Sequence, residues 1–484
     1  MIEVLIVGSG PTGLTLACDL LRRGVSVQLI ERRADGPFLA SKGKGLQPRT
    51  LELFDNLGIV QSVIAAGRSY PPLAFYEGGK VVREHHLMTV REASETVPFP
   101  NAVMIPQWKT EELLGKLLVD LGGHIDYQHD FVSLEQDDRS VVATVSGPSG
   151  QETVEAKYLV AADGGRSAVR TFLGLQLVGE TPEYEGLLVA DVYVDGLGRD
   201  HWHFWGKTLK DAAMLCPLPS TEAFQFTASL ASGENPELSI ETLQSYLDKR
   251  AGGNSPKILR QSWMSIFRPN IRMVECFRVG RVFLAGDAAH VHTPAGAQGL
   301  NTSVQDANNL GWKLGAALQS GDDSLLETYQ EERLPVAAAL LGGSDLLYRL
   351  SLEGNVASLR RADDEHQLLL NYRGASAFGP INPDTTLQPG DRLPNAWLQK
   401  EDGQNLNLFD LLRGPDWALL SIDSAGQAPD DEFNAALGKI TGFQIRTQGE
   451  AKEGEYAATG SALKELSGKR VYVRPDRYIA AIQS

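Results

Sequence analysis

The N-terminal residues alternate between apolar runs and small-residue turns at the spacing of a strand–turn–helix–strand unit. Residues 4–7 form a short β-branched run, residues 8–13 read Gly-Ser-Gly-Pro-Thr-Gly, and apolar side chains over residues 14–21 repeat at helical spacing. A second apolar run at residues 25–30 ends at Glu31, about 20 residues beyond the glycines, where a carboxylate can accept a hydrogen bond from a ribose hydroxyl. Glycines at this spacing also occur in purely structural turns, but the flanking strands favour an adenine dinucleotide, without separating FAD from NAD.

Two later apolar runs end in a similar way, each at an acidic turn with glycine beside it. The run at residues 159–162 is followed by Asp163, and the run at residues 282–285 leads through a glycine to Asp287. Residues 295–299 are mostly Ala and Gly, which lets backbone come within contact distance of a flat ligand. A helix is predicted to start directly after them, so its free N–H groups would face that ligand.

Strand-length runs separated by polar turns fill the middle of the chain and predict antiparallel sheet. The predicted strands are residues 131–134, 141–145, 154–160, 187–194, 201–205, 212–218 and 224–230. Side chains alternate along a strand, so His201, His203 and Trp205 are expected on one face and Trp202 and Phe204 on the other. Two histidines at this spacing, without further carboxylates or cysteines, do not make a metal site, and we predict none.

Two long helices are predicted after residue 301, over residues 303–319 and 325–350, with a kink at Pro335. Residues 375–394 are rich in Pro and Gly and predict a linker. Residues 385–484 carry their own strand and helix patterns and predict a separate small α/β domain.

Composition narrows the possible partners and the compartment. The chain has 484 residues with a formal net charge of −16 and no lysine- or arginine-rich run, which argues against nucleic acid or an anionic membrane as partner. Its three cysteines form no CxxC or metal spacing, as expected in a reducing compartment. We therefore expect a cytoplasmic protein, monomeric or homodimeric, that binds a small molecule.

In their order along the chain, the motifs resemble those of the class A flavoprotein monooxygenases, the single-component aromatic hydroxylases. Residues 8–13 with Glu31 and Arg32 resemble that family's FAD fingerprint, the turn at Asp163 its DG motif, and the turn at Asp287 its GD motif. Residues 329–335, Tyr-Gln-Glu-Glu-Arg-Leu-Pro, resemble a further segment in the closing helix. Through residues 389–394, Pro-Gly-Asp-Arg-Leu-Pro, and 473–476, Val-Arg-Pro-Asp, the C-terminal region resembles, less specifically, the thioredoxin-like domain of the phenol and polyketide hydroxylases.

This resemblance implies an α/β fold of three parts. Residues 1–180 and 262–375 would form a Rossmann-type FAD-binding domain with closing helices. Residues 181–261, with part of 68–106, would form an inserted antiparallel sheet that binds substrate. Residues 385–484 would form a thioredoxin-like domain without a CxxC pair, which excludes thiol redox chemistry there.

The resemblance also implies a set of cofactor-binding residues. They are Gly8, Gly10, Pro11, Thr12, Gly13, Glu31, Arg32, Lys42, Gln107, Val132, Asp163, Asp287, Pro294, Gly299, Leu300 and Asn301. Pro294 would lie near the reactive edge of the flavin. Lys42 departs from the family, whose members usually carry arginine there, so the planar fork of that contact is missing.

The chemistry implied is hydroxylation of a phenolic or polycyclic phenolic ring by O2, through a flavin C4a-hydroperoxide, with NADPH or NADH as reductant. Candidate substrate contacts are Trp202, His203, Phe204 and Met214, while no catalytic base is identified. An FAD-dependent epoxidase or Baeyer–Villiger-type oxygenase of a large natural product or antibiotic stays an alternative. A non-catalytic FAD redox sensor is a further alternative, which the intact motifs disfavour.

Overall fold

A computed structural model describes residues 1–37, 39–180, 186–252, 255–268, 270–293, 295–352, 364–424 and 439–483. Within these residues the α-helices are α1 (Pro11–Leu21), α2 (Pro48–Asn56), α3 (Val60–Ala66), α4 (Gln107–Asp120), α5 (Ala168–Phe172), α6 (Ile240–Ala251), α7 (Gly299–Ser320), α8 (Ser324–Leu352) and α9 (Leu408–Leu411). Pro335 lies inside α8. None of the described helices is long and apolar enough to span a bilayer.

The strands fall into three large sheets and two small ones. In chain order they are β1 (Ile2–Val7), β2 (Val27–Glu31), β3 (Gly45–Leu46), β4 (Leu73–Glu77), β5 (Lys80–His85), β6 (Val103–Met104), β7 (Asp126–Tyr127), β8 (Asp130–Gln136), β9 (Val141–Gly147), β10 (Gly150–Ala161), β11 (Val178–Glu180), β12 (Leu187–Asp195), β13 (Trp202–Trp205), β14 (Ala213–Pro217), β15 (Phe224–Ser229), β16 (Lys257–Phe267), β17 (Ile271–Met273), β18 (Arg278–Val279), β19 (Val282–Leu284), β20 (His290–Val291), β21 (Trp397–Lys400), β22 (Asn405–Asn407), β23 (Trp417–Ile422), β24 (Ile440–Arg446), β25 (Glu455–Ala458), β26 (Lys469–Val473) and β27 (Ile479–Gln483).

The first large sheet has the order β18-β19-β10-β1-β2-β7 and is parallel from β19 through β7. Its central strands are buried on both faces, which explains why they read as unbroken apolar runs. The runs predicted at 154–160 and 159–162 are one strand, β10. Its first half pairs with β9 and is exposed except at Val154 and Ala156, whereas residues 159–161 lie between β1 and β19 and are fully buried.

The second large sheet has the order β16-β12-β15-β14-β13-β4-β5. Helix α6 covers one face, where Leu243 and Leu247 pack among the apolar side chains of β12, β14 and β15. The sheet extends beyond the boundary expected at residue 261, because β16 pairs along the whole of β12. The sequence of β16 does not indicate this, because its apolar residues come in adjacent pairs and do not alternate with polar ones.

The third large sheet, of order β22-β21-β25-β24-β23-β26-β27, forms the C-terminal region. Buried ion pairs join it to the first part of the chain. Arg474 meets Glu332 of α8 through two bonds of 2.9 Å each, and Arg477 meets Asp55 of α2 at 2.7 Å. Paired donors facing paired acceptors fix orientation as well as contact.

Candidate active site

Four strands of the first sheet end side by side, which brings the three turns predicted from sequence to one edge. The backbone bonds Gly8 N–H to Ile30 O (2.9 Å), Ala162 N–H to Val7 O (2.9 Å) and Ala285 N–H to Ala161 O (3.0 Å) step across the carboxyl ends of β2, β1, β10 and β19. Ligands of open α/β sheets bind at this edge.

The three glycines of the first turn have different surroundings. A Cβ on Gly8, whose φ is +103°, would lie 2.5 Å from the Ala162 carbonyl oxygen, and a Cβ on Gly13 would overlap the Gly8 carbonyl. A Cβ on Gly10 would meet no protein atom within 4 Å. Gly8 and Gly13 are thus explained by packing of the protein against itself, whereas the space at Gly10 faces outward. Pro11 then starts α1, whose free N–H groups face that space.

Glu31 is buried at the end of β2 and is held from two sides. Its carboxylate accepts from the Ser9 backbone N–H at 3.0 Å and from the Arg33 backbone N–H at 3.0 Å. Burial opposes ionisation, but these bonds and the Arg33 charge outweigh it and keep the pKa of Glu31 below its ordinary value. Arg32, predicted near the adenosine end of the cofactor, is exposed, and the neighbouring Arg33 contacts Glu31.

The turns at Asp163 and Asp287 are tied together by one arginine. Arg170 of α5 donates to the Ala288 carbonyl at 3.0 Å and to the Gly165 carbonyl at 2.9 Å. Asp163 accepts from the Ala168 N–H at 2.7 Å through Oδ2, while Oδ1 is buried without a hydrogen bond among the described residues, and burial raises the pKa of this carboxyl. Asp287 is exposed.

The N-terminal end of α7 is braced against residues 41–47, which we call the 41–47 segment. The Asn301 side chain accepts from Gln47 N–H at 2.7 Å and donates to Gly45 O at 2.9 Å. Gly43 lies against Leu300 and donates its N–H to Gln107 at 3.2 Å. Three predicted residues, Gln107, Leu300 and Asn301, therefore meet around this segment.

The other predicted cofactor-binding residues lie outside this group of contacts. Gly299 lies under the ring of His292, which would be 2.6 Å from a Cβ at this position; burial lowers the pKa of that histidine. Lys42 is exposed, and Pro294 lies outside the described residues. Thr12 packs against Gly286 of the third turn, since a Cβ on that glycine would lie 2.6 Å from its hydroxyl.

Val132 lies at a bulge. The register of β8 against β9 shifts between Phe131 and Ser133, and the Val132 side chain is exposed. An extra residue at a bulge is left out of the regular ladder. Elsewhere along the carboxyl edge of the sheet, the outward-facing space at Gly10 and the unbonded buried Asp163 oxygen fit an adenine dinucleotide.

The motif at residues 329–335 in α8 holds the turn around Asp287 through hydrogen bonds. The Tyr329 hydroxyl donates to the Leu284 carbonyl at 2.9 Å, and Arg333 donates to Asp306 at 2.7 Å. Asp306 also accepts from Gly286 N–H at 3.1 Å and pairs with His290 at 2.7 Å. Burial alone would raise the pKa of Asp306, but Arg333 and His290 hold it below its ordinary value. The sequence did not indicate this role of Asp306, because its neighbours at helical spacing, Thr302, Ser303 and Asn309, are polar and do not mark it as buried.

The predicted substrate residues divide between the two faces of the second sheet. Trp202, Phe204 and Met214 cluster with Phe75 on the face away from α6, with the Phe75 and Phe204 ring centroids 4.7 Å apart. His203 points the other way because side chains alternate along β13. Its ring is buried, 2.8 Å from the Tyr76 hydroxyl and 2.9 Å from the Gly198 carbonyl, so it does not join the other three.

A polar group that sequence reasoning missed lies on the same face as the aromatic cluster. Asp191 and Gln225 are directly opposite each other on β12 and β15, and both bond the backbone of Ser41. Lys44 bonds Gln225 and lies 3.9 Å above the Trp202 ring. Burial raises the pKa of Asp191 to about 6. Among the described residues, no group of three or more His, Cys, Asp or Glu comes together as a metal site.

Comparison with known proteins extends these observations. Residues 1–344 match the family model for an FAD binding domain. The chain is 40% identical to a flavin-dependent monooxygenase of Mycobacteroides abscessus, over 99% of this chain and 96% of that protein. It is similar in structure to an anhydrotetracycline hydroxylase from Streptomyces rimosus, with a TM-score of 0.79, 30% identity and coverage of 100% of this chain and 96% of that one. It is also similar to aklavinone-11 hydroxylase, solved with FAD and aklavinone, with a TM-score of 0.82, 26% identity and coverage of 100% and 95%.

Proposed function

The chain belongs to the family of FAD-dependent monooxygenases, and from that membership we propose that it hydroxylates a polycyclic phenol with NADPH or NADH as reductant. The observation that carries the proposal is the pairing of two surfaces: a dinucleotide edge on the first sheet and an aromatic cluster on the second. The 41–47 segment bridges them, with contacts to both. Two similar structures are hydroxylases of large polycyclic compounds, which supports the substrate class.

The described residues divide the work of holding the cofactor. The outward space at Gly10 and the start of α1 would take the pyrophosphate, and Glu31 the adenosine ribose. Asp287 would bind the ribityl chain, and α7 would direct its free N–H groups at the ring system, where they stabilise negative charge. When bound, FAD accepts a hydride from the reductant and activates O2 for insertion of one oxygen atom.

The second sheet would supply the substrate wall. Phe75, Phe204 and Met214 present an apolar, aromatic surface that suits a flat ring system and excludes water from it. The Trp202 indole N–H lies on this wall, buried and without a hydrogen bond among the described residues. A carbonyl or phenol oxygen of the substrate would satisfy it.

We also propose a division of the chain into domains. The FAD-binding domain would comprise residues 1–180 and 268–375, and the substrate domain 186–267 with β4 and β5. The C-terminal region would be a thioredoxin-like domain, which is supported by the parallel pair β23 and β24 followed by the antiparallel strands β26 and β27. It contains no cysteine, so we assign it a packing role.

The function is tested by following NADPH and NADH oxidation, oxygen uptake and hydrogen peroxide together. The FAD-loaded protein is given anhydrotetracycline, aklavinone and, as a small control, phenol. We expect a polycyclic phenol to accelerate oxidation while peroxide stays low and product mass rises by one oxygen atom. Acceleration by none of the compounds, or peroxide equal to the reductant consumed in every case, would refute the substrate class.

A further inference from the structure

The 41–47 segment is held from both sides. On the side of the first sheet, Gly43 bonds Gln107 at 3.2 Å, and Gly45 bonds Asn301 at 2.9 Å. On the side of the second sheet, the Ser41 N–H donates to Asp191 Oδ2 at 2.9 Å. The segment therefore spans the gap between the proposed flavin and substrate surfaces.

The contacts to the second sheet form a short chain of hydrogen bonds. Gln225 donates its side-chain N–H to the Ser41 carbonyl and accepts from the Lys44 ammonium. Asp191 and Gln225 thus grip the two backbone groups of a single residue, Ser41, which is buried. The two contacts come from the adjacent strands β12 and β15.

Asp191 is an unusual choice for such a contact. It is 3% exposed, and its Oδ1 makes no hydrogen bond among the described residues. A buried carboxylate with one oxygen unsatisfied costs free energy, which an uncharged acceptor at the same place would avoid. A carboxylate does, however, accept a backbone N–H about twice as strongly as a neutral group.

We propose that Asp191 is a positioning residue for the oxygenation reaction, which clamps the 41–47 segment so that the segment shields the flavin from water. This inference rests on the proposed flavin position beside α7. The clamp is strongest when the carboxylate is ionised, because only then is its bond to the Ser41 N–H charge-assisted. Lys44 is the charged group that faces it from the segment, and its neighbours on β15 and β16, Gln225 and Trp263, are uncharged.

Amide hydrogen exchange of the apoprotein measures how firmly Asp191 holds the 41–47 segment, without any cofactor. In Asp191→Ala the Ser41 amide loses its acceptor, and we expect peptides covering residues 39–46 to exchange at least tenfold faster. Asp191→Asn keeps an acceptor oxygen and should exchange within about threefold of wild type. Asp195→Ala removes an exposed carboxylate from the same strand and should leave the peptide unchanged. Equal exchange in Asp191→Ala and wild type would overturn the proposal.

The yield of hydrogen peroxide measures whether the clamp affects the oxygenation reaction. With the FAD-loaded full chain and anhydrotetracycline, we expect the wild-type fraction of reductant lost as peroxide to fall severalfold between pH 5 and 7.5. Asp191→Asn should stay at the wild-type low-pH fraction throughout, and Asp191→Ala should lie above both. Gln225→Met, which removes the second grip, serves if the alanine variant does not fold, and it should also leak more peroxide. Unchanged, parallel pH profiles for all variants would overturn the role of Asp191.

Failure of the proposed function is separable from failure of this inference. If anhydrotetracycline does not stimulate wild type, the substrate class is at fault, and the exchange experiment still decides the clamp. If exchange rises in Asp191→Ala while peroxide does not, the segment is clamped without shielding the flavin, and the inference is wrong.

Discussion

Replacing Gly10 with alanine tests whether the turn after β1 is shaped for a ligand or only for its own packing. Its φ of −71° and ψ of −177° are open to alanine, and a Cβ would meet no protein atom within 4 Å. Alanine stabilises such a variant because it restricts the conformations of the unfolded chain, whereas it destabilises the variant because alanine is a poorer N-cap for α1 than glycine. The free energy of unfolding of the apoprotein should therefore stay within about 1 kcal/mol of wild type.

The same methyl group should weaken FAD binding strongly. It would occupy the space proposed for the pyrophosphate, and overpacking of this kind costs about 1–3 kcal/mol. By the relation between free energy and affinity this is roughly 5- to 150-fold weaker FAD binding. Gly13→Ala is the matched contrast, because its Cβ would overlap the Gly8 carbonyl, so the apoprotein itself should lose about 3 kcal/mol.

Two measurements on the apoproteins decide the matter. Urea unfolding gives the free energy of unfolding, and quenching of flavin fluorescence on titration gives the Kd for FAD. We expect Gly10→Ala to separate the two quantities, with normal stability and weak binding. If Gly10→Ala binds FAD as tightly as wild type, the turn is not a phosphate site and the reasoning from its open space is refuted.

Two further predictions concern the buried ion pairs and the aromatic wall. Glu332→Gln should cost about 3–5 kcal/mol in urea unfolding, because Arg474 and Lys313 lose a buried counter-charge. Burial opposes ionisation of Glu332, yet those cations lower its pKa to about 2 from an ordinary 4.5. The ionised group therefore contributes about 3 kcal/mol to the free energy of unfolding above pH 4.5, and this contribution should be lost as the pH falls towards 2. The glutamine variant should not show this loss. Phe204→Ala should raise the KM for an accelerating polycyclic phenol at least tenfold with the FAD Kd unchanged, whereas Trp205→Phe, on the opposite face, should leave that KM near wild type; equal effects of the two would contradict the assignment of faces.

The order of strands and turns could be predicted from sequence because it depends on local patterns. Asp163 and Asp287 each follow a fully apolar run, and parallel strands bring such ends to one edge. The contact between Arg33 and Glu31 could not be predicted in this way, because it depends on where Ser9 and Glu31 lie in the folded chain. The alternation of faces predicted along β13 is confirmed, but alternation alone does not say which face α6 covers.

Residues whose partners lie far away in the chain were out of reach. Asp191 gives no sequence signal for its contact with Ser41, which is 150 residues away. Helix α6 packs against one face of β12 and leaves Asp191 on the opposite face. This arrangement depends on tertiary packing, which the local sequence pattern does not encode. Strand β16 is not among the strands predicted from sequence, and its pairing along β12 assigns it to this sheet.

The buried arginines of the C-terminal region have a consequence for how the protein is made. Asp55 and Arg477 are 422 residues apart, and at about 5–20 residues per second the ribosome needs roughly 20–80 s to cover that distance. Throughout this time α2 carries a carboxylate whose final partner has not been synthesised. Asp55 gains its first arginine, Arg413, only 358 residues later, and a nascent chain stalled between residues 413 and 477 would hold this carboxylate by one of its two arginines.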